Sequence, residues 1–114
     1  MTPQSAKQKG RLLQQWVRDK LLEYAPELEP DDIKSTSMGA GGEDVQLSPA
    51  ARKMYPYQIE CKSMAKVGVY SFYKQAAAHG TRQPLVVVKQ NGAKPLAIVD
   101  ADYFFKLIGN KDEN

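Results

Sequence analysis

The stretch Tyr57-Gln58-Ile59-Glu60-Cys61-Lys62-Ser63 alternates without a break. In an extended strand successive side chains point to opposite faces. Ile59 and Cys61 therefore face one way and feed a core, while Glu60 and Lys62 share the other face. The segment Glu43-Asp44-Val45-Gln46-Leu47 repeats the pattern. With Val45 and Leu47 turned to the core, Asp44 and Gln46 lie on the opposite face, and Glu43 points away from Asp44. If the two strands pair, Asp44 meets Glu60 and Lys62. Two carboxylates with a main-chain carbonyl make an oxygen cage suited to a hard ion, Mg²⁺ or Mn²⁺. A metal held there polarises a phosphate and lowers the pKa of a bound water. A neighbouring lysine offsets charge on the phosphate oxygens. An acid and a lysine on one strand face are also what a solvated surface pair looks like, and such a pair contributes little. The combination with Asp44 gives the pattern its weight.

Working outward, the apolar spacing of Leu13, Trp16, Val17, Leu21 and Tyr24 predicts a helix over Lys7–Tyr24, stopped by Pro26. Ile33–Met38 reads as a strand, residues 39–42 as a glycine turn, and Glu43–Leu47 as the returning strand. Ser48–Pro56 reads as a loop. A helix over Val69–His79 ends at Gly80. Leu85–Lys89 and Leu96–Val99 read as strands joined through the turn signal Asn91-Gly92. A last helix runs over Asp100–Ile108, with Asp100 as its N-cap. The expectation is a single α/β domain over residues 1–114, with a mixed central sheet flanked by helices.

With 42% hydrophobic and 25% charged residues, the chain has an ordinary globular composition. One Cys and one His leave neither an internal disulfide nor a Cys/His zinc site. No apolar run is long enough to span a bilayer. The opening MTPQSAKQKG lacks the apolar segment of a secretory signal, so the expected compartment is the cytoplasm. A net charge of +3 permits nucleic-acid binding without requiring it.

Glu43-Asp44 followed by Ile59-Glu60-Cys61-Lys62 resembles the PD-(D/E)xK nuclease superfamily. The order of elements matches that superfamily's restriction-endonuclease-like αβββαβ core across most of the chain. The opening Lys9-Gly10 resembles the start of the first helix in archaeal-type Holliday junction resolvases, and the chain as a whole resembles small phage-encoded nucleases of this group. The resemblance implies Asp44 and Glu60 as metal ligands, the Cys61 carbonyl as a third, and Lys62 as the catalytic lysine. It also implies a helper glutamine at Gln75. Resolvases usually carry a glutamate four residues after the first glycine; here Gln14 stands there. That departure implies weak metal binding and a weakened second metal site.

Lys9 and Arg11, with Arg52, Lys53, Lys66 and Lys74 around the proposed site, are read as phosphate contacts. Trp16 is expected in the core, Tyr70, Phe72 and Tyr73 in helix packing, and His79 at a helix C-terminus where the dipole favours it. Tyr103, Phe104, Phe105 and Leu107 suit either a core helix or a dimer contact. The expected function is a homodimeric, metal-dependent DNA endonuclease acting on branched DNA. The competing classes are a non-catalytic nucleic-acid-binding module and an RNA-directed nuclease.

Overall fold

The computed structural model describes residues 3–36, 44–65 and 68–109. The expected glycine turn at 39–42, Glu43 and Lys66 lie outside the described residues. Among the described residues, strands β1 (Ile33–Ser35), β2 (Val45–Leu47), β3 (Tyr57–Met64), β4 (Gln83–Gln90) and β5 (Leu96–Ile98) form one sheet in sequential order. β3 and β4 pair in parallel from Tyr57 opposite Gln83 to Met64 opposite Gln90, and the other neighbours are antiparallel. The mixed α/β sheet expected from the sequence is thus observed.

Helix α1 (Pro3–Glu23) starts earlier than its apolar spacing indicates, because its first turns are polar and leave no periodic signal. It lays Leu13 and Val17 against Ile33, Val45, Leu47, Ile59, Cys61 and Val87. Burial of each large aliphatic side chain contributes about 1.5–3 kcal/mol, so this face carries most of the core. Trp16 is not in it. At 44% exposed, it lies beside the buried stripe, with the Lys20 ammonium 5.7 Å from its ring centre.

The loop expected over Ser48–Pro56 contains a helix, α2 (Pro49–Met54). Ser48 is its N-cap: the hydroxyl accepts the Ala51 N–H at 3.1 Å and donates to Asp32 Oδ1 at 2.7 Å. Pro49 occupies the first helical position, where a missing N–H costs nothing. Ser48-Pro49 is thus a local helix start inside the segment expected as a loop. α2 is tied to the C-terminal end of α1, where the Tyr55 hydroxyl donates to the Leu21 carbonyl at 2.8 Å.

Helix α3 (Tyr70–Ala77) connects β3 to β4 and covers the other face of the sheet, packing Phe72, Tyr73 and Ala76 on Val86, Val88 and Ile98. Buried Gln58 binds the end of this crossover. Its Nε2 donates to the Ala76 carbonyl at 3.1 Å, and its Oε1 accepts the Arg82 N–H at 2.6 Å. Gly80 makes room for it, since a Cβ there would come within 2.5 Å of Gln58 Oε1.

Helix α4 (Ala101–Gly109) is capped by Asp100, whose Oδ2 accepts the Tyr103 N–H at 3.0 Å. Tyr103 meets Tyr57 edge to face and hydroxyl to hydroxyl, while Phe104, Phe105, Leu107 and Ile108 remain exposed. The core-helix alternative for α4 therefore holds only for Tyr103. No helix among the described residues is long and apolar enough to cross a membrane.

Candidate active site

Among the described residues, β2 meets β3 only at Val45 opposite Ile59. The Asp44 N–H donates to the Ile59 carbonyl at 3.1 Å, and there the backbone ladder gives way to a side chain: Asp44 Oδ2 accepts the Cys61 N–H at 2.8 Å. The N–H and C=O of one strand residue leave by the same edge, so the Cys61 carbonyl faces the same side as the Asp44 carboxylate. Alternation turns the Glu60 and Lys62 side chains to the face covered by α3. Asp44, Glu60 and Lys62 thus converge where β2 begins beside the middle of β3, as their spacing indicates.

Glu60 is 3% exposed. Its Oε2 lies 3.4 Å from Lys62 Nζ and its Oε1 lies 3.5 Å from His79 Nε2. Oε1 is buried and accepts no hydrogen bond among the described residues. Burial raises the Glu60 pKa above the ordinary carboxylate value, and the negative charge of Asp44 raises it further; Lys62 and His79 pull the other way. Burial also raises the Cys61 thiol, with Asp44 and Glu60 adding to the shift, so this cysteine is a packed thiol and not a nucleophile. Lys62 Nζ also lies 5.4 Å from the centre of the Phe72 ring, a cation–π contact that helps position it.

His79 belongs to this site, although its sequence position suggested only a helix terminus. The β3–α3–β4 crossover brings the end of α3 back beside the first half of β3, where Gln58 and Glu60 face it. The signal that finds this contact is the parallel pairing of β3 with β4, which obliges the connecting helix to run back and end beside the first half of β3.

The remaining expected residues are distributed differently. Gln75 is exposed on α3, and its side chain makes no hydrogen bond among the described residues. Gln14 is 4% exposed, but it belongs to α1, the helix packed on the Ile59–Cys61 face, away from the Glu60 and Lys62 side chains. Its Oε1 has no hydrogen-bond partner among the described residues. Arg52 and Lys53 are exposed on α2, at the end of the sheet where β3 begins, remote from Lys62. Lys74 is exposed on α3 and Arg11 on α1. Lys9 reaches Asn91, donating to Oδ1 at 3.0 Å.

No group of three or more His, Cys, Asp or Glu side chains among the described residues is placed to hold a metal ion. The donor set is smaller: two carboxylates and one main-chain carbonyl. All are hard oxygen donors, and Glu60 Oε1 lacks a hydrogen-bond donor. That chemistry fits Mg²⁺ or Mn²⁺, with water completing the coordination, and does not fit zinc. The chain matches no protein-family model, no curated protein and no solved structure.

Proposed function

We propose that this chain is a Mg²⁺- or Mn²⁺-dependent endonuclease that hydrolyses phosphodiester bonds in DNA, on a PD-(D/E)xK-type core. The observation that carries the reading is Glu60, a buried carboxylate placed between Asp44 and Lys62 where β2 begins along β3. Burying a carboxylate costs several kcal/mol unless it is compensated, and a merely structural strand face has no need of one beside a second acid.

Asp44, Glu60 and the Cys61 carbonyl would hold the divalent ion. When bound, the ion supplies Lewis acidity and a water of lowered pKa. The protein's own groups do the rest. The Asp44–Cys61 hydrogen bond fixes one carboxylate against the strand edge. Lys62 beside Oε2 and His79 beside Oε1 orient the Glu60 carboxylate. The Lys62 ammonium would face the non-bridging phosphate oxygens and offset the charge that grows on them as a water oxygen bonds to phosphorus and loses a proton to solvent, while the bond from phosphorus to a sugar oxygen breaks and that oxygen takes a proton from solvent. Phosphate contacts from exposed lysines and arginines supply the affinity.

Branched DNA cut by a homodimer is the preferred form of this reading, since a two-fold dimer presents two sites to two strands. The exposed apolar side of α4 supports the dimer. A second reading, a non-catalytic nucleic-acid-binding module on the same fold, is favoured by the small donor set, since no third acidic, His or Cys side chain joins Asp44 and Glu60 as a ligand group among the described residues. Incubation with a four-way junction, a linear duplex, single-stranded DNA and RNA, each with Mg²⁺, Mn²⁺ or EDTA, separates these readings. Metal-dependent cleavage of the junction is expected. Binding without cleavage in any metal condition selects the second reading, and cleavage of RNA alone selects an RNA-directed nuclease.

A further inference from the structure

On the face of the sheet opposite Glu60 and Lys62, α1 and the ends of β3 and β4 border an open groove of about 390 Å³, within the range of small-ligand sites. Lys9, Leu12 and Trp16 fall on one side of α1 by helical spacing and line it, together with Lys89 and Pro95. Leu12 and Trp16 are 53% and 44% exposed, so a large apolar surface stands open beside the buried stripe of Leu13 and Val17. Lys9 and Asn91 join at 3.0 Å and tie α1 to the turn after β4. The groove's lining holds two lysines and no acid. An indole face with nearby cations, and nothing to repel an anion, complements a flat apolar ring carrying a phosphate.

The position narrows the class of ligand. Ser63, which lines the groove, follows Lys62 directly in β3. The groove and the candidate catalytic lysine thus share one end of the strand on opposite faces, and a polyanion passing over that end of the sheet touches both.

We propose that the groove binds an unpaired nucleotide of the nucleic-acid substrate, its base stacked on Trp16 and its phosphate on Lys9 and Lys89. The ligand class rests on the nuclease reading; the groove itself does not. Such a site selects substrates with single-stranded character near the bond to be cut, as at a branch point.

Trp16 is the only tryptophan in the chain, so its fluorescence reports on the groove directly. In EDTA, to prevent cleavage, titration of the full chain with a short oligothymidylate should quench Trp16 saturably; blunt duplex should quench it less, and inorganic phosphate not at all. Followed by anisotropy of a labelled oligonucleotide, Trp16→Leu should weaken single-strand binding about tenfold and Trp16→Phe should restore most of it. Lys89→Gln should make the plot of log affinity against log salt shallower by about 0.7, the share of one phosphate contact on a single strand. Absence of quenching, equal binding by the Leu and Phe variants, or an unchanged salt slope overturns the proposal. So does self-association that shields Trp16 without nucleic acid, which makes the groove an interface between copies of this chain. Quenching in a protein that cuts nothing sinks the nuclease reading alone; cleavage without quenching sinks the groove alone.

Discussion

Glu60 carries a conflict between stability and chemistry. Its pKa is raised chiefly by burial, so its protonated form is the better tolerated one in the folded chain. The stability this contributes is present below about 4.5, the unfolded value, and is lost as pH rises through the raised folded value. Glutamine imitates the neutral form. Glu60→Gln should therefore raise the thermal midpoint in EDTA at neutral pH while abolishing cleavage, the expected trade at a functional site. An unchanged or lower midpoint means that the pairs with Lys62 and His79 outweigh desolvation. Asp44→Asn should abolish cleavage and leave most DNA affinity, which rests on phosphate contacts; full activity in that variant removes Asp44 from the mechanism. Lys62→Ala should slow single-turnover cleavage by about two to three orders of magnitude with an unchanged circular-dichroism spectrum. Unfolding would identify Lys62 as structural. These three positions were legible because strand alternation assigns faces from local sequence alone. His79 was not, because its partner is distant in sequence and its contact depends on where the crossover returns.

At the scale of elements, the join between α3 and β4 positions the site. Gln58 fills both ends of that join with buried hydrogen bonds, and Gly80 leaves space for its amide. Gly80→Ala should cost about 1–3 kcal/mol, as overpacking does, read as a lower urea midpoint with an unchanged slope. Activity per folded molecule should also fall, since displacing Gln58 shifts the end of α3 that carries His79. A neutral substitution would show that the amide can swing aside and that this contact does not hold the crossover. The sequence marks Gly80 as the stop of a helix reaching His79, but α3 ends at Ala77 with Ala78 as its C-cap; Gly80 instead leaves space for a strand residue far away in sequence. The Ser48-Pro49 start of α2 is by contrast a local signal, an N-cap hydroxyl followed by a proline at the first helical position.

For the whole molecule, α4 leaves Phe104, Phe105, Leu107 and Ile108 exposed together, a larger apolar surface than a free helix tolerates well. Two-fold pairing through this helix would cover it and supply two active sites. Sedimentation should show a dimer at micromolar concentration, and Phe105→Glu should shift it to monomer while leaving the fold intact. A wild-type monomer, or a variant that remains dimeric, rules out this helix as the interface. Junction cleavage should then fall more in the variant than cutting of a single nick, because only paired incision needs both sites.

By itself, the sequence determined the strands and the faces on which their side chains lie. Period-two alternation around Ile59, Glu60, Cys61 and Lys62 is a local geometric fact, as is the apolar period of α1 and the Asp100 cap of α4. The parallel pairing of β3 with β4 follows from the helix between them. Which helix covers which face was decided by tertiary structure. α1 took the Ile59–Cys61 face, carrying Gln14 away from the Glu60 and Lys62 side chains and leaving Trp16 beside an open groove; α3 took the other face and brought His79 to Glu60. Periodicity says that an element has a buried side and does not say what buries it. That choice follows from crossover handedness and from the competition among apolar faces for the same sheet.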